Sequence, residues 1–239
     1  MYYEDVALEV EEGLVIRGWY IKRLEKRPSD TERLLIFFHE NAGNLGIRLD
    51  YFEHLHEKTD SDILAFAYRG YSESDGVPSE EGIKADTHKI MSYVKENLSE
   101  KYLAKDGIFL HGRSLGGAVA AEAFFDQHAD IVDGIILENT FTSISDMVDI
   151  MFPFLVPIKE YVLKIGWDTN ELVPKITAPL LFVMGKKDEI VPYKQTYQLY
   201  KSAEKALFKE KFVVPGGTHN DTWMVDVENY ILKMNKFME

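Results

Sequence analysis

Cysteine is missing from the chain altogether. That excludes a disulfide framework, thiolate zinc sites and a cysteine nucleophile, and it leaves the redox compartment open. Long apolar runs are missing too. Nothing approaches the roughly 18 consecutive apolar residues of a membrane helix, and the opening Met1-Tyr2-Tyr3-Glu4-Asp5 is not a basic, apolar leader. Positive charge is in short supply: 27 Lys and Arg face 40 Asp and Glu, a formal charge of −13. Nucleic acid and anionic lipid both need clustered Lys and Arg, so neither is an expected partner. No internal repeat, low-complexity tract or Gly/Pro/Ser-rich linker divides the sequence. The charged stretch 25–32 is short and reads as a turn between strands. The expectation is one soluble domain over 1–239, cytoplasmic or membrane-peripheral, with membrane contact only through an anchor that this sequence does not contain.

What is present is enough to build a core. At 239 residues, 46% hydrophobic and 13% aromatic, the chain can bury roughly 70–75% of its unfolded surface. Alternation from about Asp5 to Val10, the turn Glu11-Glu12-Gly13 and a second run from Leu14 to Ile21 predict an antiparallel hairpin. Thereafter apolar runs come without alternation, at 34–38, 63–67, 108–110, 135–137 and 180–184. Such runs suit strands buried on both faces of a parallel sheet. Helical spacing separates them, as in Ile83, Ile90, Met91, Val94 and Leu98. The pattern predicts a doubly wound α/β sheet, whose function gathers in loops beyond the carboxyl ends of its strands.

One such loop carries Gly112-Arg113-Ser114-Leu115-Gly116, between a predicted strand and a helix rich in small residues. As composition alone, Gly-Ser-Gly is a common loop. In a strand-to-helix turn, G-x-S-x-G lifts a serine above the sheet edge, because side chains two residues either side would collide across the turn. Ser114 is therefore the candidate nucleophile, at the positive end of a helix where an oxyanion is favoured.

A serine hydroxyl needs a base, and the base needs an orienting group. Seven histidines compete. His54, His56, His88 and His128 lie in helix-like stretches and read as surface polar positions, while His39 and His111 precede Ser114 and read as loop-structuring. His219 follows the short apolar run 212–214 in a glycine-rich turn, which can swing a side chain over the sheet edge, and is the expected base. Asp188, just past the run 180–184, is the expected acid. Its rival Glu138 reads as a supporting or lid-anchoring carboxylate. The backbone N–H groups of Leu115 and Asn41 are the expected oxyanion donors.

Several segments resemble a known family: His39-Glu40-Asn41-Ala42-Gly43-Asn44-Leu45-Gly46, Tyr68-Arg69-Gly70-Tyr71-Ser72, the Ser114 turn, Glu138-Asn139-Thr140-Phe141 and Gly217-Thr218-His219-Asn220-Asp221-Thr222-Trp223. In order and over nearly the whole chain, they resemble the bud-emergence (BEM)-like branch of α/β hydrolases. The resemblance implies about eight strands, mostly parallel, and a serine hydrolase triad of Ser114, Asp188 and His219. It also points towards a neighbouring branch that removes acyl chains from protein thioesters. Two departures stand out. The family usually has His-Gly where this chain has His39-Glu40, and a carboxylate beside an oxyanion hole opposes the developing charge unless it points away or is paired, with Arg113 available. The expected state of Glu40 is a solvated loop side chain. Secondly, related proteins often carry an N-terminal hydrophobic anchor.

From about 141 to 178 the strand–helix rhythm lapses, after the sixth strand. Prolines and apolar residues here, including Phe152, Phe154, Leu155, Tyr161 and Trp167, predict a small lid whose apolar side lines an acyl site or packs on the core. The expected function is hydrolysis of carboxylic esters or thioesters of apolar acyl groups, on an acylated small molecule, a lipid or an acylated protein. A peptidase with the same triad and a catalytically weak scaffold in cell polarity or membrane organisation are the alternatives. No cofactor is required, and no His/Asp/Glu set has the sequence spacing of metal ligands. Oligomeric state is not legible in the sequence.

Overall fold

The structure, a computed structural model, describes residues 1–22, 32–159, 163 and 165–239, of residue 158 the backbone only. Of the expected turn at 25–32, residues 25–31 lie outside the described residues, as does Tyr161. Eight strands form one sheet: β1 Tyr2–Glu11, β2 Leu14–Lys22, β3 Arg33–Phe38, β4 Ser61–Phe66, β5 Ile108–Arg113, β6 Gly134–Glu138, β7 Leu180–Gly185 and β8 Lys209–Val214. The helices are α1 Leu49–Thr59, α2 Glu80–Asn97, α3 Ser99–Leu103, α4 Leu115–Ala123, α5 Ile144–Met151, α6 Thr169–Leu172, α7 Lys194–Ser202, α8 Thr222–Val225 and α9 Val227–Met238.

The strand order is β1-β2-β4-β3-β5-β6-β7-β8. The first hairpin is antiparallel, and β2 pairs antiparallel with β4; every other pairing is parallel. The unalternating runs explain the centre of this sheet. Every residue of β3, β4, β5, β6 and β7 is buried, because helices cover both faces. One core layer holds Leu34, Ile36, Leu110, Leu137 and Phe182 beneath α2, α4 and α7; the other holds Leu35, Phe37, Phe109, Ile136 and Leu181 beneath α1 and α9. Consecutive strand residues alternate between the two layers, as a pleat requires.

The expected hairpin is present and longer than its alternation, reaching Tyr2 and Lys22. Strand β8 also outruns its apolar stretch, since Lys209, Glu210 and Lys211 tolerate the half-exposed last position of the sheet. After β6 the rhythm lapses as expected: α5 stops at Met151, and Pro153 opens a 3-10 turn over Pro153–Ile158. Among the described residues no helix is long and apolar enough to cross a membrane.

Candidate active site

Ser114 sits between the last residue of β5 and the first of α4, with φ 56° and ψ −120°. A non-glycine residue rarely takes this conformation, and holding it costs about 1–3 kcal/mol. Its neighbours make the turn possible by lacking side chains. A Cβ on Gly112 would lie 2.0 Å from the Gly116 carbonyl oxygen, and one on Gly116 would lie 1.9 Å from that of Phe38. The turn is braced by the Ser114 N–H, which donates to the Glu138 carbonyl at 2.9 Å, and by Thr140 Oγ1, which donates to the Ser114 carbonyl at 2.7 Å. Leu115, as the first helical residue, has an N–H with no intrahelical acceptor.

The turn after β8 brings His219 to this point, nearly buried at 4% exposure. Its Nε2 lies 3.1 Å from Ser114 Oγ and its Nδ1 2.8 Å from Asp188 Oδ2. A carboxylate only accepts, so Nδ1 carries the proton and Nε2 offers its lone pair to the serine hydroxyl. The other Asp188 oxygen accepts from the N–H groups of Ile190 and Val191, at 2.9 and 2.8 Å, which fixes the carboxylate. Three residues from three loops, expected to act together, thus form one hydrogen-bonded line.

Sequence reasoning missed the residue that couples two of those loops. Asn139, at φ 45°, donates to the His219 carbonyl at 3.0 Å and accepts from the Gly185 N–H at 2.8 Å. It thereby ties the turn bearing His219 to the end of the strand that precedes Asp188. The signals in the sequence were a polar pair, Asn139-Thr140, directly after a buried strand, and its place in the family-like segment 138–141.

The loop bearing Asn41 is held by His39. The ring stacks on Tyr68 at 4.0 Å, its Nε2 accepts from the Tyr68 N–H at 3.2 Å, and its Nδ1 donates to the Glu40 carbonyl at 2.6 Å. A trans peptide is planar with N–H opposed to C=O. Gripping the Glu40 carbonyl therefore fixes the direction of the Asn41 N–H. The Asn41 side chain is pinned by the Tyr71 hydroxyl. Burial, reinforced by Arg48, lowers the His39 pKa from 6.5 to about 4. Between those values the unfolded chain binds a proton that the folded chain does not. Stability is therefore complete above pH 6.5 and falls as the pH drops towards 4, by about 3 kcal/mol from this residue. Urea unfolding at pH 7 and pH 4.5 is expected to show the loss, and His39→Gln is expected to flatten it; an unchanged slope in that variant would refute the assignment.

Glu40 is not the solvated side chain expected from the sequence. Its side chain is 12% exposed and lies between Arg48, at 2.5 Å, and Arg113, at 3.3 Å. Burial raises its pKa, but the two guanidiniums outweigh that and leave it lowered. Arg48 also donates to the carbonyls of Asn44 and Ala42, at 2.6 and 2.7 Å, so one arginine closes the whole loop. Glu138 lies in the same buried network, away from any lid-anchoring role. It pairs across the sheet with Arg113, meets that guanidinium at 3.3 Å, and accepts from His111 Nε2 at 3.0 Å and the Tyr230 hydroxyl at 2.8 Å. His56, expected on the surface, is instead 4% exposed and bonded through Nδ1 to the Ser61 carbonyl.

The apolar residues proposed for the lid separate. Trp167 is 4% exposed in the core layer that includes Phe141 and Met147, with Glu80 accepting from the N–H groups of Gly166 and Trp167. Leu155 is half-buried, while Phe152 and Phe154 meet edge-on and stay exposed, Phe154 to 74%. A cleft of about 660 Å³ opens elsewhere, between the first hairpin (Val6, Arg17, Trp19) and Asn44, Leu45 and Ser72, with none of Ser114, Asp188 or His219 in its wall.

The family described as Chlamydia CHLPS protein (DUF818) matches residues 37–196. The α/β-hydrolase domain-containing protein WAV2 of Arabidopsis thaliana is 33% identical over 251 residues, covering 100% of this chain and 79% of that protein. Protein bem46 of Schizosaccharomyces pombe is 35% identical over 228 residues, covering 95% and 74%. Among solved structures, the Pyrococcus furiosus esterase Pf2001 superposes with a TM-score of 0.76 at 18% identity, over 99% of this chain and 89% of that one.

Proposed function

The chain belongs to the α/β-hydrolase family that includes bem46 and WAV2, and from that premise we propose that it is a serine hydrolase acting on carboxylic esters or thioesters of apolar acyl groups. The observation that carries the reading is the line Ser114–His219–Asp188 at 3.1 and 2.8 Å, built on a strained turn at a helix start.

In this reading Ser114 Oγ attacks the acyl carbonyl as its proton passes to His219 Nε2, while Asp188 holds the imidazole and stabilises the imidazolium without taking the proton. The carbonyl oxygen, now an anion, receives the N–H groups of Leu115 and Asn41. Collapse breaks the bond to the alcohol or thiol, which leaves with the proton from His219. Water, deprotonated by the same imidazole, then releases the acid and restores the serine. Glu40 does not spoil this site, since its charge is neutralised by two arginines.

The exposed apolar run Ile150, Met151, Phe152 and Phe154 supports a lid over 141–178 and an apolar acyl group, borne by a small molecule, a lipid or a protein. The test is a fluorophosphonate with mass mapping, followed by a series of acyl esters and thioesters of increasing chain length beside peptide amides. The expected result is one adduct, on Ser114, and turnover that rises with acyl length while the amides stay intact. Folded protein that takes no label would overturn the reading, and amide cleavage in preference to esters would make it a peptidase.

A further inference from the structure

At the opposite end of α4 from Ser114, two imidazoles and a carboxylate converge. His88 projects from α2, and Asp126 and His128 come from the segment that follows α4. One donor atom from each lies within 4.8 Å of the other two. The nine residues of α4, about 13 Å of helix at 1.5 Å each, separate this group from the candidate active site. It therefore does not rest on the hydrolase reading.

The three residues are already held together by their own hydrogen bonds. His88 Nδ1 is 2.7 Å from Asp126 Oδ2, and the other Asp126 oxygen accepts the His128 N–H at 2.8 Å. One carboxylate thus positions both histidines, and their rings lie 5.6 Å apart at 36°. His128 Nε2 faces the Gln127 amide nitrogen at 3.1 Å. An amide nitrogen only donates, so that ring nitrogen is unprotonated, and an ion that binds it takes over the lone pair now given to Gln127. Bonds of about 2.0–2.1 Å from a central ion to His nitrogen and carboxylate oxygen place neighbouring donor atoms about 3 Å apart. The His88 Nδ1–Asp126 Oδ2 edge, 2.7 Å, is near that spacing, with the shared proton displaced by the ion on binding, and all three donor atoms lie within 4.8 Å of one another. All three residues are half-buried, and the His88 side chain is 41% exposed, so an ion can enter and keep water in its remaining positions.

We propose that His88, Asp126 and His128 form a binding site for a borderline divalent transition-metal ion such as Zn²⁺ or Ni²⁺, which clamps α2 to the far end of α4. Two imidazole nitrogens and one carboxylate suit such ions, whereas Mg²⁺ and Ca²⁺ take oxygen ligands. Sequence spacing concealed the group because His88 and Asp126 are 38 residues apart and belong to different elements. A metal that binds the folded chain stabilises it by mass action.

The test uses the full chain without a histidine tag, in chelator-free buffer, with Zn²⁺ and Ni²⁺ followed by calorimetric titration and thermal unfolding. One ion per chain is expected, with a rise in Tm of about 5 °C at a hundredfold excess over Kd, and no matching response to Mg²⁺. His88→Gln and His128→Gln, checked for unchanged metal-free Tm, should each weaken binding at least about tenfold. The proposal fails if no ion binds or if the double variant binds as well as the wild type, which would assign the ion to other surface carboxylates. It fails equally if Mg²⁺ competes on equal terms, or if Tm falls, which would mean binding to the unfolded chain.

Discussion

Ester turnover is expected to fall about 10,000-fold or more when Ser114 is replaced by alanine, while the thermal midpoint stays within a few degrees of wild type. The first half follows from chemistry: without Oγ there is no acyl-enzyme, and only binding and oxyanion contacts remain. The second follows from how Ser114 is held. Its brace is made by its backbone, through the Glu138 carbonyl and Thr140 Oγ1, and alanine keeps both bonds. His219→Ala should cost a similar factor, and the double variant little more than either single one, because residues that act as a unit are not additive. Steady-state kinetics on the best ester, with fluorophosphonate labelling alongside, decide the matter. Two single losses that multiply in the double variant would show that the two side chains do not share one step.

The largest loss of stability is expected from Glu138→Gln. The carboxylate is fully buried beside Arg113, whose guanidinium also lies over the Tyr51 ring at 4.2 Å. Burial raises the Glu138 pKa, and Arg113 and His111 more than reverse that, leaving it at about 2. Removing Glu138 leaves the buried Arg113 with Glu40 as its remaining carboxylate and takes the acceptor from His111 and Tyr230; breaking such a buried pair costs about 3–5 kcal/mol, a large share of the 5–15 kcal/mol that typically holds a domain folded. Replacing both partners by apolar residues, Arg113→Met with Glu138→Leu, should recover much of that loss. Urea unfolding of the single and double variants measures it, and a cost below about 1 kcal/mol for Glu138→Gln would mean that the pair is not energetically coupled. The pH dependence separates this group from His39. A carboxyl with a depressed folded pKa stabilises above its unfolded value of 4.5, and that contribution disappears as the pH falls through about 2. His39 acts earlier, between 6.5 and about 4.

Much of the architecture was legible because burial on both faces leaves a mark in one dimension. The runs at 34–38 and 180–184 became β3 and β7 nearly residue for residue. The line through Ser114, Asp188 and His219 was legible because each follows an apolar strand in a loop with its own signal: flanking glycines, a strand end, a glycine-rich turn. The network around Glu40 was legible only in part: Arg113 was available as a partner, but Arg48 and the burial of the carboxylate were not foreseen. Arg113 and Glu40 are 73 residues apart and meet because β3 and β5 are adjacent. Trp167 was ambiguous for a related reason. An aromatic in a proline-broken segment reads alike whether it lines a pocket or fills the core, and its burial, with Glu80 from α2 holding its backbone, decides for the core.

The hydrogen bond between Ser114 and His219 spans 105 residues of chain. At the usual pace of synthesis, about 5–20 residues per second, the serine leaves the ribosome roughly 5–20 s before its base. During that interval the Ser114 hydroxyl has no imidazole beside it. On the proposed mechanism the nascent chain therefore lacks its base until the turn after β8 has emerged.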